Sequence, residues 1–365
     1  MKRRTFLKVG MGASAGLTLG LGPQLLRSAA ANTAGPWRKF EAVTKLEVAS
    51  PTGVTRAWVP VPLLTDTDYF KRHGDTWTGN AAASRAVKDA KYDVGLVYAE
   101  WPASEKSPNV EITSRFSTRD RAIDLTKPPT AAAPEDKAVL ARYLEPTHLI
   151  PTDGIVRDTA RGITEGAKTD VDKARALYEW IVENTFRDPK VRGCGLGDIK
   201  TMLETRYFGG KCADLNALYV GLARSVGLPA RDVYGVRCAD SAEFKSLGKS
   251  GDISKAQHCR AEVYLGAFGW VPVDPADVRK VVLEEKPGGL ALNDPLVQRA
   301  RAKLFGQWEM NWLAYNYGHD VKLPNSTGAP VPFLMYPQAE TAEGRRDSLD
   351  PTTFRYQITV REIMG

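Results

Sequence analysis

Residues 209–229 are the most tightly bracketed stretch of this chain. Gly209-Gly210-Lys211-Cys212 leads into Leu215, Leu218, Tyr219 and Leu222, the i, i+3, i+4, i+7 spacing of a helix, and Gly227-Leu228-Pro229 stops it. The paired glycines allow a sharp turn and a close approach of other atoms. The chain must therefore bury one face of a helix whose first residue is a cysteine. Strands follow: Asp232 to Val236, then His258 to Leu265 in good alternation, then Trp270 to Asp274 after the turn Gly266-Ala267-Phe268-Gly269. A helix packed on an antiparallel run of strands is an α+β arrangement.

A cysteine that opens a helix meets free backbone N–H groups and a partial positive charge. That environment favours the thiolate and can hold an oxyanion. The plain alternative is a small buried hydrophobe, and local sequence supports both readings equally. His258 and Asp274 sit on adjacent strands of the predicted hairpin, where an imidazole and a carboxylate can meet. Cys212, His258 and Asp274 together fill the roles of nucleophile, base and orienting group. A simple mirror register sets Asp274 opposite a residue nearer Ala261 than His258. Arg260 shares a strand face with His258 and Glu262. It either meets an acidic substrate group or, as we expect, pairs with Glu262, and an inward-facing Arg260 would lower the base's pKa.

Three blocks carry a resemblance. Gly210-Lys211-Cys212-Ala213-Asp214, with its helix to Leu228-Pro229-Ala230-Arg231, resembles the nucleophile block of the bacterial transglutaminase-like superfamily. His258-Cys259-Arg260-Ala261-Glu262-Val263-Tyr264 resembles its histidine block, and Gly269-Trp270-Val271-Pro272-Val273-Asp274-Pro275 its aspartate block. The blocks occur in the family's order and spacing and span about residues 170–280. The resemblance implies a papain-like core, with a nucleophile helix packed on an antiparallel β-sheet. It also implies a thioester intermediate with Cys212 as nucleophile, His258 as base and Asp274 as orienting carboxylate. Two departures stand beside the base: Arg260, where the family often has an aromatic residue, and Cys259.

The rest of the chain frames that core. Residues 36–126 read as a β-rich, sandwich-like N-terminal domain. Phe40 to Val48 and Asn109 to Phe116 alternate, and the prolines in Ala57-Trp58-Val59-Pro60-Val61-Pro62 exclude a helix interior. Residues 127–134, Lys-Pro-Pro-Thr-Ala-Ala-Ala-Pro, read as a linker. Residues 135–280 are the expected catalytic core. It opens with helices from Pro134 to Leu144, from Asp153 to Gly166, and from a Thr169-Asp170 cap with the stripe Ala174, Leu177, Tyr178 and Ile181. Residues 281–365 are expected as an extension packing on that core. Its aromatic run from Phe305 to Tyr317 suits an acyl-substrate groove or, more commonly, core.

Lys2-Arg3-Arg4-Thr5-Phe6-Leu7-Lys8, a Gly-rich apolar stretch and Ala29-Ala30-Ala31 resemble a twin-arginine export signal over residues 1–31. Location is thus expected to be periplasmic or secreted, with no membrane association after cleavage. Export of a folded chain implies a fold that forms without disulfides, although Cys238 with Cys259, or Cys194 with Cys212, are pairs to consider. The signal carries five of the 50 Lys and Arg residues and none of the 43 acids. The remainder is nearly balanced, which removes the electrostatic motive for nucleic-acid binding. No CxxC, HExxH or EF-hand loop occurs, so no metal or cofactor is expected. Asp198 and Asp214 read as helix-start residues rather than a carboxylate pair. The expected function is a periplasmic thiol enzyme acting on amide bonds of a protein, peptide or peptidoglycan-peptide substrate, more as peptidase or amidase than as cross-linker. A non-catalytic binding scaffold on the same fold is the rival.

Overall fold

The computed structural model describes residues 35–364 except 90, 93 and 128–133. The signal over residues 1–31 and most of the 127–134 linker lie outside the described residues. Six N-terminal strands come first: β1 (Arg38–Val48), β2 (Thr55–Pro60), β3 (Phe70–Gly79), β4 (Ala83–Lys88), β5 (Gly95–Trp101) and β6 (Asn109–Thr118). They divide between two antiparallel sheets, β1-β6-β3 and β2-β5-β4. β1 and β6 alternate buried and exposed residues because one face is solvated, whereas nearly every residue of β2 and β5 is buried because that sheet is covered on both faces. Leu46, Val110 and Ile112 of the first sheet meet Val59, Val97 and Ala99 of the second in one apolar layer, the expected sandwich.

The central body follows. Its first helices are α1 (Lys137–Arg142), α2 (Gly154–Ile163), α3 (Asp170–Asn184) and α4 (Ile199–Thr205). α1 and α2 are shorter than the spacing predicts, and α3 starts at the expected Thr169 cap, whose hydroxyl accepts the Asp172 N–H. α5 (Cys212–Ser225) is buried from Cys212 through Arg224, so the predicted one-sided stripe understates it. A helix enclosed on all sides carries apolar residues all round. β7 (Ala230–Arg237), β8 (Gln257–Leu265) and β9 (Gly269–Val273) form an antiparallel sheet beneath it. α6 (Pro275–Glu284) and α7 (Pro295–Lys303) lead to β10 (Trp312–Asn316), which completes the sheet in the order β9-β8-β7-β10. The aromatic run therefore belongs to the interior: Trp308, Trp312 and Tyr315 are all buried.

The last strands leave the central body. β11 (Gln338–Thr341) pairs with β2, and β12 (Phe354–Glu362) pairs with β1 along its length. Two expected boundaries shift accordingly. The core sheet takes its fourth strand from beyond residue 280, and the 281–365 segment completes both sandwich sheets rather than only packing on the core. The physical reason is edge satisfaction, since β1 and β2 would otherwise each leave an unpaired row of backbone groups.

A buried ionic junction locks the sandwich to the core. Glu262 of β8 has no solvent exposure and accepts from Arg121, which follows β6, and from Arg231 Nε of β7 at 2.6 Å. Tyr69 OH also reaches it at 3.3 Å, and the Arg231 guanidinium lies 3.9 Å from the ring centres of both Trp270 and Tyr317. The expected Arg260–Glu262 pair does not form. Arg231 stands directly across from Glu262 in the β7–β8 register and claims the carboxylate. Replacing Glu262 with Ala strands two guanidiniums in the interior, and urea unfolding should show a loss of about 3–5 kcal/mol. A loss under ~1 kcal/mol would mean the junction is not what holds the two bodies together.

Candidate active site

The turn into α5 is held by one carboxylate. Asp214 accepts from Lys211 N–H at 2.9 Å and from the N–H groups of Leu196 and Gly197 at 2.9 and 3.0 Å. Gly195 adopts φ +92°, and a Cβ there would sit 1.8 Å from Asp214 Oδ2, so only glycine fits. Asp214 is thus a helix-start residue, as its position implies. Cys194 O accepts the Ala213 N–H at 2.9 Å, which brings the 194–197 loop against the first turn of α5. Cys212 is the first residue of that helix, and its own N–H has no acceptor among the described residues.

The structure brings the three sequence-predicted residues together. His258 Nε2 lies 2.8 Å from Asp274 Oδ2, and the ring lines the same cavity as Cys212, whose thiolate it favours. Ala261 pairs with Val273. Continuing that register puts Asp274 opposite Arg260, one diagonal step from His258 on the same face, and no bulge is required. Asp274 also caps α6, its Oδ1 accepting the Asp277 N–H at 3.0 Å and Asn216 Nδ2 at 3.2 Å. Its reading as a turn residue and its reading as the partner of His258 are both correct.

Three contributors were not legible beforehand. Asp277 Oδ2 sits 3.3 Å from His258 Nε2, and its Oδ1 accepts from Arg237 Nη2 at 2.6 Å. Asn216, one turn beyond Cys212, ties the nucleophile helix to Asp274 and donates to Cys259 O at 2.8 Å. The Asp-Pro-Ala-Asp spacing of residues 274–277 was the only signal for Asp277, and it reads equally as an ordinary helix cap. Arg260 turns to Glu309 O at 2.9 Å, with Nε 3.7 Å from Asp274.

Electrostatics follow from this packing. Hydrogen bonds from Cys194, Cys259 and His258 hold the Cys212 thiol well below its ordinary range, against the opposing effect of burial. The cost appears on the neighbours, since sharing with Cys212 and burial push the Cys194 and Cys259 thiols up. Burial and Arg237 pull His258 down, but Asp277 and Asp274 outweigh them and it rises to about 9. The expected depression by Arg260 is therefore corrected: the cation facing the ring is Arg237, and two carboxylates override it. Arg237 and His258 hold Asp277 well below the carboxylate range, against its burial, while burial and Asp277 raise Asp274.

His258, Asp274 and Asp277 cluster closely enough to suggest metal ligation. Arg237 and Arg260 already lie against the two carboxylates, so a dication would meet two fixed guanidiniums. This donor set suits an imidazolium better than a metal. All four cysteines are free and buried; Cys238 lies in a separate apolar cluster from Cys259, which removes that disulfide pair. Cys194, Cys212 and His258 open onto a cavity of about 1100 Å³.

The family model described as Transglutaminase-like superfamily matches residues 157–275, a span that contains Cys212, His258 and Asp274. An "Uncharacterized protein" from Haemophilus influenzae (strain ATCC 51907 / DSM 11121 / KW20 / Rd) is 33% identical over 328 residues, covering 85% of this chain and 87% of the relative. The chain belongs to the transglutaminase-like superfamily. Among solved structures, a "Putative Cysteine Protease" from Cytophaga hutchinsonii shares the fold at TM-score 0.51 and 15% identity, covering 90% of this chain and 99% of its own. The periplasmic domain of TgpA from Pseudomonas aeruginosa aligns at TM-score 0.33 and 14% identity, over 67% of this chain and 90% of that one. The superfamily core accounts for the helix-on-sheet arrangement around α5.

The thiolate should persist far below the pH of a free thiol. The pH midpoint of iodoacetamide labelling at Cys212 should lie well below the value of about 8.5 for a free thiol, and His258→Ala should move it upward. Labelling that begins only above about pH 8.5 and is indifferent to His258 would contradict the arrangement.

Proposed function

We propose that this protein is an exported thiol enzyme that cleaves amide bonds through Cys212, His258 and Asp274. One observation carries the reading: a thiol favoured as its thiolate opens a helix, shares a cavity with a histidine held by buried carboxylates, and faces open space. Near neutral pH the pair stands as thiolate and imidazolium. The thiolate attacks the carbonyl carbon, and the free Cys212 N–H at the positive end of α5 stabilises the oxyanion. His258 then gives its proton to the departing amine, leaving a thioester on Cys212. Water attacks the thioester as His258 takes a proton, and the acid product leaves with the thiol restored. Asp274 keeps Nε2–H of the ring directed away from the thiol, so that Nδ1 faces the reaction.

Hydrolysis is preferred over transfer to a second amine, in keeping with the frequent link of bacterial superfamily members to proteolysis. The periplasm is the proposed location, motivated by the Arg3-Arg4 signal. Purified protein should release new amino groups from casein-like protein or from peptidoglycan peptides, and comparing the two identifies the substrate. Cys212→Ala should abolish release, and His258→Ala should reduce kcat/KM by about 10²–10⁴-fold. The acid limb of the pH–rate profile should follow protonation of the thiolate. The alkaline limb should fall as His258 loses its proton near about 9. Undiminished release by Cys212→Ala would exclude the mechanism, and an unreactive wild-type thiol would favour the scaffold reading.

A further inference from the structure

The cavity over Cys212 has a one-sided charge. Nine of its lining residues are Lys or Arg, against two acids, Glu47 and Asp252. Several of these cations are already neutralised: Arg237 by Asp277, Arg187 and Lys280 by Glu284, and Arg192 by Asp347. Lys45 likewise lies on Glu111. Four remain with no carboxylate in ion-pair distance among the described residues: Lys211, Lys249, Lys255 and Arg355. The two lining acids offset part of this excess: Ser254 and Gln357 hold Asp252 ionised near Lys249, and Glu47 stands across from Arg355 in the β1–β12 register, so the lining keeps a smaller cationic surplus. The excess is local, since the chain beyond its first 31 residues is nearly balanced.

Their placement is informative. Lys211 adjoins the nucleophile, Lys249 and Lys255 belong to the loop that precedes β8, and Arg355 comes from β12 of the sandwich. The cations thus ring the thiol from three elements, while Tyr336, Leu349 and Tyr356 add an apolar surface between them. A cleft with this lining raises the local concentration of an anionic ligand and repels a cationic one. The sandwich, through β12, forms part of the substrate wall.

We propose that the acyl donor is an anionic peptide, bearing carboxylates on residues that flank the amide presented to Cys212. The proposal rests on the thiol-amidase reading and names its substrate class. Two sources share this chemistry: a polypeptide rich in Asp and Glu, and a peptidoglycan stem peptide with free backbone carboxylates.

Binding to the Cys212→Ala protein tests the proposal without requiring turnover. Fluorescent peptides of equal length, Glu-flanked or Gln-flanked, should differ by about tenfold or more in affinity by anisotropy at low salt, with the Glu form tighter. Salt should narrow the gap, and the double variant Lys249→Glu/Lys255→Glu should close or reverse it. A parallel arm with a stem peptide and its amidated form should show the same preference, and the arm with the larger gap identifies the source. Equal affinity for charged and amidated peptides in both arms overturns the proposal, as does a preference that survives the double variant. Peptides that bind with this preference but are left intact by the wild-type protein would uphold the cationic cleft and overturn the amidase reading alone.

Discussion

Five buried ionisable groups cluster beneath the thiol. Asp274 and Asp277 face His258 from one side, with Arg237 and Arg260 against the carboxylates, and none of the five is appreciably exposed. Placing that many charges away from water is costly, and mutual pairing offsets the cost only when the geometry is good. The surrounding fold supplies that geometry. Asp274 is fixed as the cap of α6, Asp277 lies on the first turn of the same helix, and Arg237 ends β7. His258 is anchored through its backbone carbonyl, which accepts from Trp312 Nε1 at 3.1 Å. The raised imidazole follows from these placements, and the lowered thiol from Cys194, Cys259 and His258 together, rather than from any residue alone.

The sandwich and the core depend on each other through the same strand. β8 carries His258 at one end and Glu262 toward the other. The first residue serves the thiol, and the second anchors Arg121 from the N-terminal strands. The chain then returns through β11 and β12 to close the sandwich edges, and β12 brings Phe354, Arg355, Tyr356 and Gln357 to the cavity. The wall facing the thiol is therefore built from both ends of the sequence. A truncation at residue 280 would leave the β1, β2 and β7 edges unpaired and open one side of the cleft.

Much of the site was legible because its signals are local. The Gly-Gly-Lys-Cys turn, the alternation from His258 to Leu265 and the Gly266–Gly269 turn each follow from backbone preference and side-chain period, and the structure places the corresponding elements there. The diagonal meeting of His258 and Asp274 was also reachable from strand parity, given the Ala261–Val273 register. Arg260 was misassigned because parity lists the neighbours on one face, whereas Glu262 was claimed by a residue on the adjacent strand, Arg231. Asn216 escaped notice because its role comes from a helix packed over a sheet, a contact with no sequence period.

What the sequence by itself determined is the set of local elements and the candidate nucleophile: a cysteine after two glycines at the head of an apolar helix, followed by a hairpin bearing His and Asp. These depend on φ/ψ freedom, capping and hydrophobic period, which act over a few residues. What only the tertiary structure decided is the company that thiol keeps. The second carboxylate, the opposing Arg237, the flanking Cys194 and Cys259 thiols and the cavity wall from β12, with Arg355, come from segments up to about 140 residues away. Burial and long-range charge set their effect, and those properties exist only once the chain has closed on itself.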